Sequence, residues 1–105
     1  MNAAFARDMH AAMASMTNGM HGAPMTGDAD RDFLVMMIPH HQGAIDMAKL
    51  LLVHGRDPLV RRLAEEIIAS QQVEIAAMRG RLGALGTPGD SDYPALHGTR
   101  GSTTP

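Results

Sequence analysis

The stretch Met36-Met37-Ile38-Pro39-His40-His41-Gln42-Gly43-Ala44-Ile45-Asp46-Met47-Ala48 determines how the rest of this chain is interpreted. Its apolar residues recur at helical spacing, which predicts a helix that contains two adjacent histidines beside a proline. A helix turns by about 100° per residue, so one stripe centred on His40 contains Phe33, Met36, Met37, Ala44, Met47, Leu51 and His54. His41 lies a quarter turn away, beside a second apolar strip. We therefore predict that both imidazoles face packed protein.

Pro39 lies inside this predicted helix, where a proline removes one backbone hydrogen bond and clashes with the preceding turn. It frees the carbonyl of Val35 and bends the chain immediately before the histidine pair. The alternative is that Pro39 begins a helix and that residues 33–38 form a separate short segment. We favour one kinked helix, because a distortion beside two histidines can shape a site.

The methionine content indicates which ligand chemistry to expect. The chain has ten methionines in 105 residues, and nine of them lie between Met1 and Met47. Filling gaps in a core is the ordinary use of methionine, but packing alone explains their concentration around two histidines poorly. Thioether sulfur and imidazole nitrogen together favour copper, because ligand softness selects the metal.

Composition and charge argue against several other classes of protein. A chain of 105 residues with a formal charge of −2 has room for one small domain and lacks a basic surface for nucleic acid. The absence of cysteine excludes disulfides, thiolate nucleophiles and iron–sulfur clusters. The apolar runs are far shorter than the ~20 residues of a membrane span. We also expect no signal peptide, since the first residues lack a basic and an apolar region.

Capping and turn signals predict three helices in an all-α fold. The first helix covers residues 2–17, and the second begins at Asp28 or Asp30 and ends at about His54. The third runs from Pro58 to roughly Leu85. Turns that contain glycine or proline separate the three helices. Asn18-Gly19 is the expected end of the first helix. After Gly86, prolines and glycines interrupt every possible helix. We therefore predict a helical metal-binding domain over residues 1–85 and a flexible tail over residues 86–105.

Short connections predict that consecutive helices pack antiparallel. Reflection about the turn near Arg56 places His40 level with about Gln72, and reflection about the loop near Ala23 places Met37 level with about Met9. One layer then collects Met9, Met36, Met37, His40, His41, Gln71, Glu74 and Met78. Gln71 and Glu74 are polar residues on an apolar face, which indicates either a hydrogen bond to a core histidine or a face that widens near solvent. Met47 lies two turns further along, at a weaker second position.

The run from Asp32-Phe33 through Ala48 resembles a bacterial family known as the domain of unknown function 305, which includes CopM-like copper-binding proteins. The similarity covers most of residues 28–82 and continues through His54-Gly55, Asp57-Pro58, Ala64–Ile68, Gln71, Glu74-Ile75 and Met78. The resemblance implies a ferritin-like helical bundle in the periplasm or outside the cell. It also implies copper ligation through Met37, His40, His41 and Met47. Three helices supply only part of a four-helix bundle, so we expect a homodimer to complete it.

Copper binding for resistance, buffering or delivery is the leading hypothesis, with Cu(I) favoured and no catalysis expected. The alternative is a metal-free dimeric helical module, in which the histidines are core residues and the methionine stripe is the dimer face. A ferritin-like metal oxidase is a third possibility. Such bundles use carboxylates from several helices and Glu-x-x-His pairs, and this sequence contains no such pair.

Overall fold

The computed structural model describes residues 2–85, and within that range the chain consists of three α-helices and no strand. The helices are α1 (Ala3–His21), α2 (Ala29–His54) and α3 (Pro58–Ala84). The predicted all-α class with three helices is confirmed. Residues 86–105, which the sequence predicts to be a tail, lie outside the described residues. No helix within residues 2–85 is long and apolar enough to cross a membrane.

Aspartate caps begin α2 and α3, as the sequence predicts. The Asp28 carboxylate accepts hydrogen bonds from the amides of Asp30 and Arg31, and the Asp57 carboxylate accepts one from the amide of Val60. Each bond satisfies an amide that has no partner within the helix. The two aspartates therefore fix where these helices start.

The first helix is longer than predicted, because Gly19 does not end it. α1 continues to His21, and the amide of the capping residue Gly22 donates to the carbonyl of Asn18 at 2.9 Å. A Cβ atom on Gly19 would lie only 2.9 Å from the Cβ of Pro39. Gly19 therefore serves a close approach between α1 and α2, which the one-dimensional cap signal could not reveal.

Helix α2 runs without interruption through Pro39. The prediction of one helix is confirmed, and the alternative of a separate segment over residues 33–38 is wrong. Gly43, one turn further on, is buried, and a Cβ atom there would lie 2.5 Å from the sulfur of Met16. Pro39 and Gly43 together form the surface on which α1 packs.

The register between α1 and α2 differs from the prediction. Gly19 lies against Pro39, and the side-chain amide of Asn2 donates from Nδ2 to Nδ1 of His54 at 2.9 Å. These two contacts place Met9 level with about residue 49 of α2. The predicted alignment of Met9 with Met37 is therefore wrong. The physical reason is that α1 stops short of the start of α2, and residues 22–28 run back along the first turns of α2.

The three helices form one layer with α2 in the middle. α1 contacts the side of α2 that carries Pro39 and Gly43, whereas α3 contacts the side that carries His41. These two sides lie roughly opposite each other on a helix that turns about 100° per residue. α1 and α3 scarcely touch, since nearly all packing in residues 2–85 is between α2 and one of its neighbours.

One side of this layer is apolar and uncovered, and we call it the open face. Its principal residues on α2 and α3 are Phe33, His40, Met47, Leu51, Leu63 and Ile67. Phe33 is 59% exposed and Leu63 is 57% exposed. A groove of about 410 Å³ runs along it between α2 and α3. Apolar residues buried within residues 2–85 are few, namely Ile45, Ala48, Ala64 and Ile75.

Candidate metal site

His41 is held between α2 and α3 by both of its ring nitrogens. Nδ1 lies 2.9 Å from the carbonyl oxygen of Met37, and Nε2 lies 2.6 Å from Oε1 of Glu74. The histidine side chain is only 12% exposed. A carbonyl can only accept a hydrogen bond, so Nδ1 carries a proton and donates it to Met37. Nε2 is therefore the nitrogen that faces the neighbouring helix.

The contact between Nε2 and the Glu74 carboxylate requires something positive between the two atoms. An unprotonated Nε2 and an ionised carboxylate both present lone pairs and would repel each other at 2.6 Å. A proton shared between the two atoms removes this repulsion. Imidazole nitrogen and carboxylate oxygen are both metal ligands, but with bonds of about 2.0–2.2 Å to a tetrahedral ion the two atoms would have to move to roughly 3.3 Å apart. Two donor atoms from different helices thus converge on one point.

Two thioethers lie one turn away from this pair. Met37 precedes His41 by four residues on α2, and Met78 follows Glu74 by four residues on α3, so each methionine shares a helix face with its neighbour. Because the helices are antiparallel and His41 meets Glu74, Met78 is level with Met37. Both methionines are partly buried. One nitrogen and one oxygen donor are therefore in contact, and two methionines lie at the next helical turn.

His40 does not face packed protein, and that part of the prediction is wrong. It is exposed on the open face, while His41 is the histidine that turns inward. The physical reason is that α1 and α3 flank α2 on opposite sides and leave the His40 direction uncovered. The two ring centroids are 5.9 Å apart. This edge-to-face contact does not make His40 part of a shared ligand set, because His40, His41 and Glu74 form no three-residue metal-binding group within residues 2–85.

The remaining predicted ligands lie at the edge of this cluster or outside it. Met36 is partly buried one turn before His40 on the side toward the open face. Met47 lies two turns beyond His40 and lines the apolar groove. Met9, on α1, is level with about residue 49. The helix register therefore places Met37 and Met78 one turn from the contact between His41 and Glu74, and it places Met9 and Met47 further away.

Glu74 is the residue that the predicted ligand set omits. The sequence signal for Glu74 is that this polar residue lies on an apolar helix face. The hydrogen bond from that position to a core histidine is confirmed. The Glu74 side chain is 55% exposed, so the site opens to solvent on the α3 side. Among residues 2–85 there is no cluster of three or more histidine, aspartate or glutamate side chains that could hold a metal.

Comparison with known proteins identifies relatives of this chain. The family model described as Domain of unknown function (DUF305) matches residues 1–82. The chain is also similar to Uncharacterized protein L153 from Acanthamoeba polyphaga mimivirus, with 45% identity over 53 residues. That match covers 50% of this chain and 35% of the relative, so the matched segment corresponds to about a third of the viral protein.

Proposed function

The chain belongs to the DUF305 family, and from that premise we propose that it binds a copper ion between α2 and α3. The proposed ligands are Nε2 of His41, the thioethers of Met37 and Met78, and the carboxylate of Glu74. His40, which lies beside His41 on the open face, is a further proposed ligand that would have to turn toward the ion to bind it. The ion is cargo that the protein holds or passes on, as in the CopM-like members that the sequence resembles.

The hydrogen bond from His41 Nδ1 to the Met37 carbonyl is the observation that carries this proposal. Histidines that bind metals almost always donate their second ring N–H to a carbonyl, a carboxylate or water, which fixes the ring and its tautomer. In this protein the bond fixes the ring and the tautomer of His41 without a metal. It leaves Nε2 pointing at the position that Glu74 also faces.

The donor set favours copper over the other common metals. Thioethers are soft ligands that select Cu(I), imidazole suits copper and zinc, and carboxylate alone suits magnesium or calcium. Two thioethers with one or two imidazoles therefore favour Cu(I). None of these groups needs a reducing compartment, in contrast to thiolates. This chemistry is compatible with the periplasmic or extracellular location that we propose from the family resemblance.

A titration with Cu(I) against a competing chelator tests the proposal. We expect His41→Ala to weaken copper binding by about 100-fold or more, since loss of an outer partner alone costs 10–100-fold. We expect a smaller loss for His40→Ala. His10→Ala is the matched control, because His10 is exposed on α1 and should leave the affinity unchanged. Equal affinities for wild type and both variants at positions 40 and 41 would contradict the proposal.

The second candidate function is a metal-free helical interaction module. The observation that favours it is that His41 already has a partner for each ring nitrogen, so the His41–Glu74 bridge can be purely structural. Metal analysis of protein expressed with added copper distinguishes the two. About one copper per chain or per dimer supports the metal site, and copper-free protein supports the module.

A further inference from the structure

Within residues 2–85, the open face is an apolar surface that no other element covers. Stable domains bury apolar surface between two layers of secondary structure, but residues 2–85 form a single layer. Apolar residues buried within those residues number four, and two of them are alanines. Meanwhile Leu63 and Ile67 on α3 are 57% and 41% exposed. The layer therefore lacks a cover on this side.

The two sides of the layer differ in chemistry. The hollow on the opposite side is lined in part by the polar residues Gln42, Lys49 and Arg79. The groove on the open face is lined by eight residues, all of them apolar and uncharged. A charged peptide or a nucleic acid would find no complementary charge in this groove. The surface that fits it is another apolar, uncharged helix face.

We propose that a second copy of this chain docks on the open face, so that two layers enclose one core. The same apolar face is present on every copy, and a two-fold arrangement brings such a patch against itself. In that arrangement the exposed ridge formed by Leu63 and Ile67 of each copy packs along the groove of the other. The proposal does not depend on copper, because the apolar groove lies beyond the histidine pair along α2.

The size of the open face is sufficient for a small dimer interface. From Phe33 to Leu51 it is about 27 Å long at 1.5 Å per residue, and two helices packed 8–10 Å apart make it about 20 Å wide. It therefore offers on the order of 500 Å² per copy across α2 and α3 alone. Two copies would thus bury about 1,000 Å² in total, which reaches the lower limit for a specific interface.

Docking would also change the surroundings of the candidate metal site. His40 is exposed in a single copy and lies on the open face, one turn before Ala44 in the groove wall. A second copy would cover His40 and exclude water from the neighbouring His41 and Met37. The surface that stabilises the dimer would thus shield one side of the site.

Sedimentation of the full-length chain in the presence of a chelator, over a range of concentrations, tests the proposal without copper. We expect wild type to sediment as a dimer, and Leu63→Glu to weaken the dimer by 100-fold or more. Leu63 is 57% exposed in a single copy, so the glutamate can stay solvated there. Val73→Glu is the matched control: it lies on the same helix, is 70% exposed, faces away from α2 and should leave the dimer intact.

Labelling of single cysteines keeps the test decisive if Leu63→Glu does not fold. The chain contains no cysteine, so Leu63→Cys and Val73→Cys each introduce one reactive thiol. We expect the thiol at position 63 to be protected from a maleimide at high protein concentration and to react on dilution. The thiol at position 73 should react equally fast at both concentrations. A monomeric wild type, or a dimer that leaves position 63 unprotected, would overturn the proposal and leave the face for another partner.

Discussion

The two helix contacts of this protein use the same kinds of residue for different purposes. Where α1 meets α2, glycines let the backbones approach closely, and the Met16 side chain fills the space above Gly43. Where α2 meets α3, a histidine and a glutamate form a polar bridge with methionines one turn away. Methionine is packing material in the first contact and a candidate ligand in the second. The difference shows that a methionine count alone does not distinguish a packing residue from a candidate ligand.

The largest expected effect comes from a substitution that disrupts only the contact between α1 and α2. In Gly43→Ala the new Cβ would overlap the sulfur of Met16 at 2.5 Å, and we expect a loss of about 2 kcal/mol in the free energy of unfolding. Gly80→Ala is the matched control, since nothing lies within 4 Å of its Cβ position. It should stabilise α3 by about 0.5–1 kcal/mol. Urea unfolding measures both, and a Gly43→Ala variant as stable as wild type would show that Met16 moves aside freely.

A smaller effect separates ligand methionines from packing methionines. Met78→Leu nearly conserves volume and should cost less than about 1.5 kcal/mol of stability, yet we expect it to weaken Cu(I) binding by about tenfold. Met16→Leu is the counterpart in the α1–α2 contact and should leave copper affinity unchanged. Chelator competition measures the affinities, and thermal unfolding checks that both variants remain folded. Equal copper affinities in the two variants would remove Met78 from the site.

The smallest effect concerns the loop that connects α1 to α2. The amide of Thr26 donates to the Asp32 carboxylate, with further bonds from the Thr26 hydroxyl and the Gly27 amide, and these lower the pKa of Asp32 below its ordinary 3.8. A lowered pKa means that the ionised carboxylate favours the folded loop. Its contribution is therefore full above about pH 4 and is lost as the pH falls through the lowered value.

Asp32→Asn tests this contribution through amide hydrogen exchange. We expect faster exchange at Thr26 and Gly27 than in wild type at neutral pH, and we expect that difference to shrink in acid. Asp30→Asn removes the same charge from the first turn of α2 and serves as the control. A difference between Asp32→Asn and wild type that stays constant from pH 6 to about pH 3 would contradict the linkage.

Much of the fold was predictable because its signals are local. Asp28 and Asp57 cap helices with their own side chains, and the apolar spacing on each side of Pro39 is helical whatever packs nearby. The contact between His41 and Glu74 was also predictable from the sequence, because α2 and α3 are joined by a short turn that fixes their register. The register of α1 was not, since a seven-residue connection allows several alignments and Gly19 resembles a helix end.

By itself, the sequence determined that the chain forms three helices, where two of them begin, and that histidine and methionine concentrate on α2. These features depend on hydrogen bonds and side-chain spacing within a single helix. Only the tertiary structure decided which histidine turns inward, that Glu74 meets it, and that Met9 lies far from it. Those outcomes depend on which sides of α2 its neighbours occupy. The close approach at Gly19 and Gly43 sets one of those sides, and such a contact exists only when two helices meet.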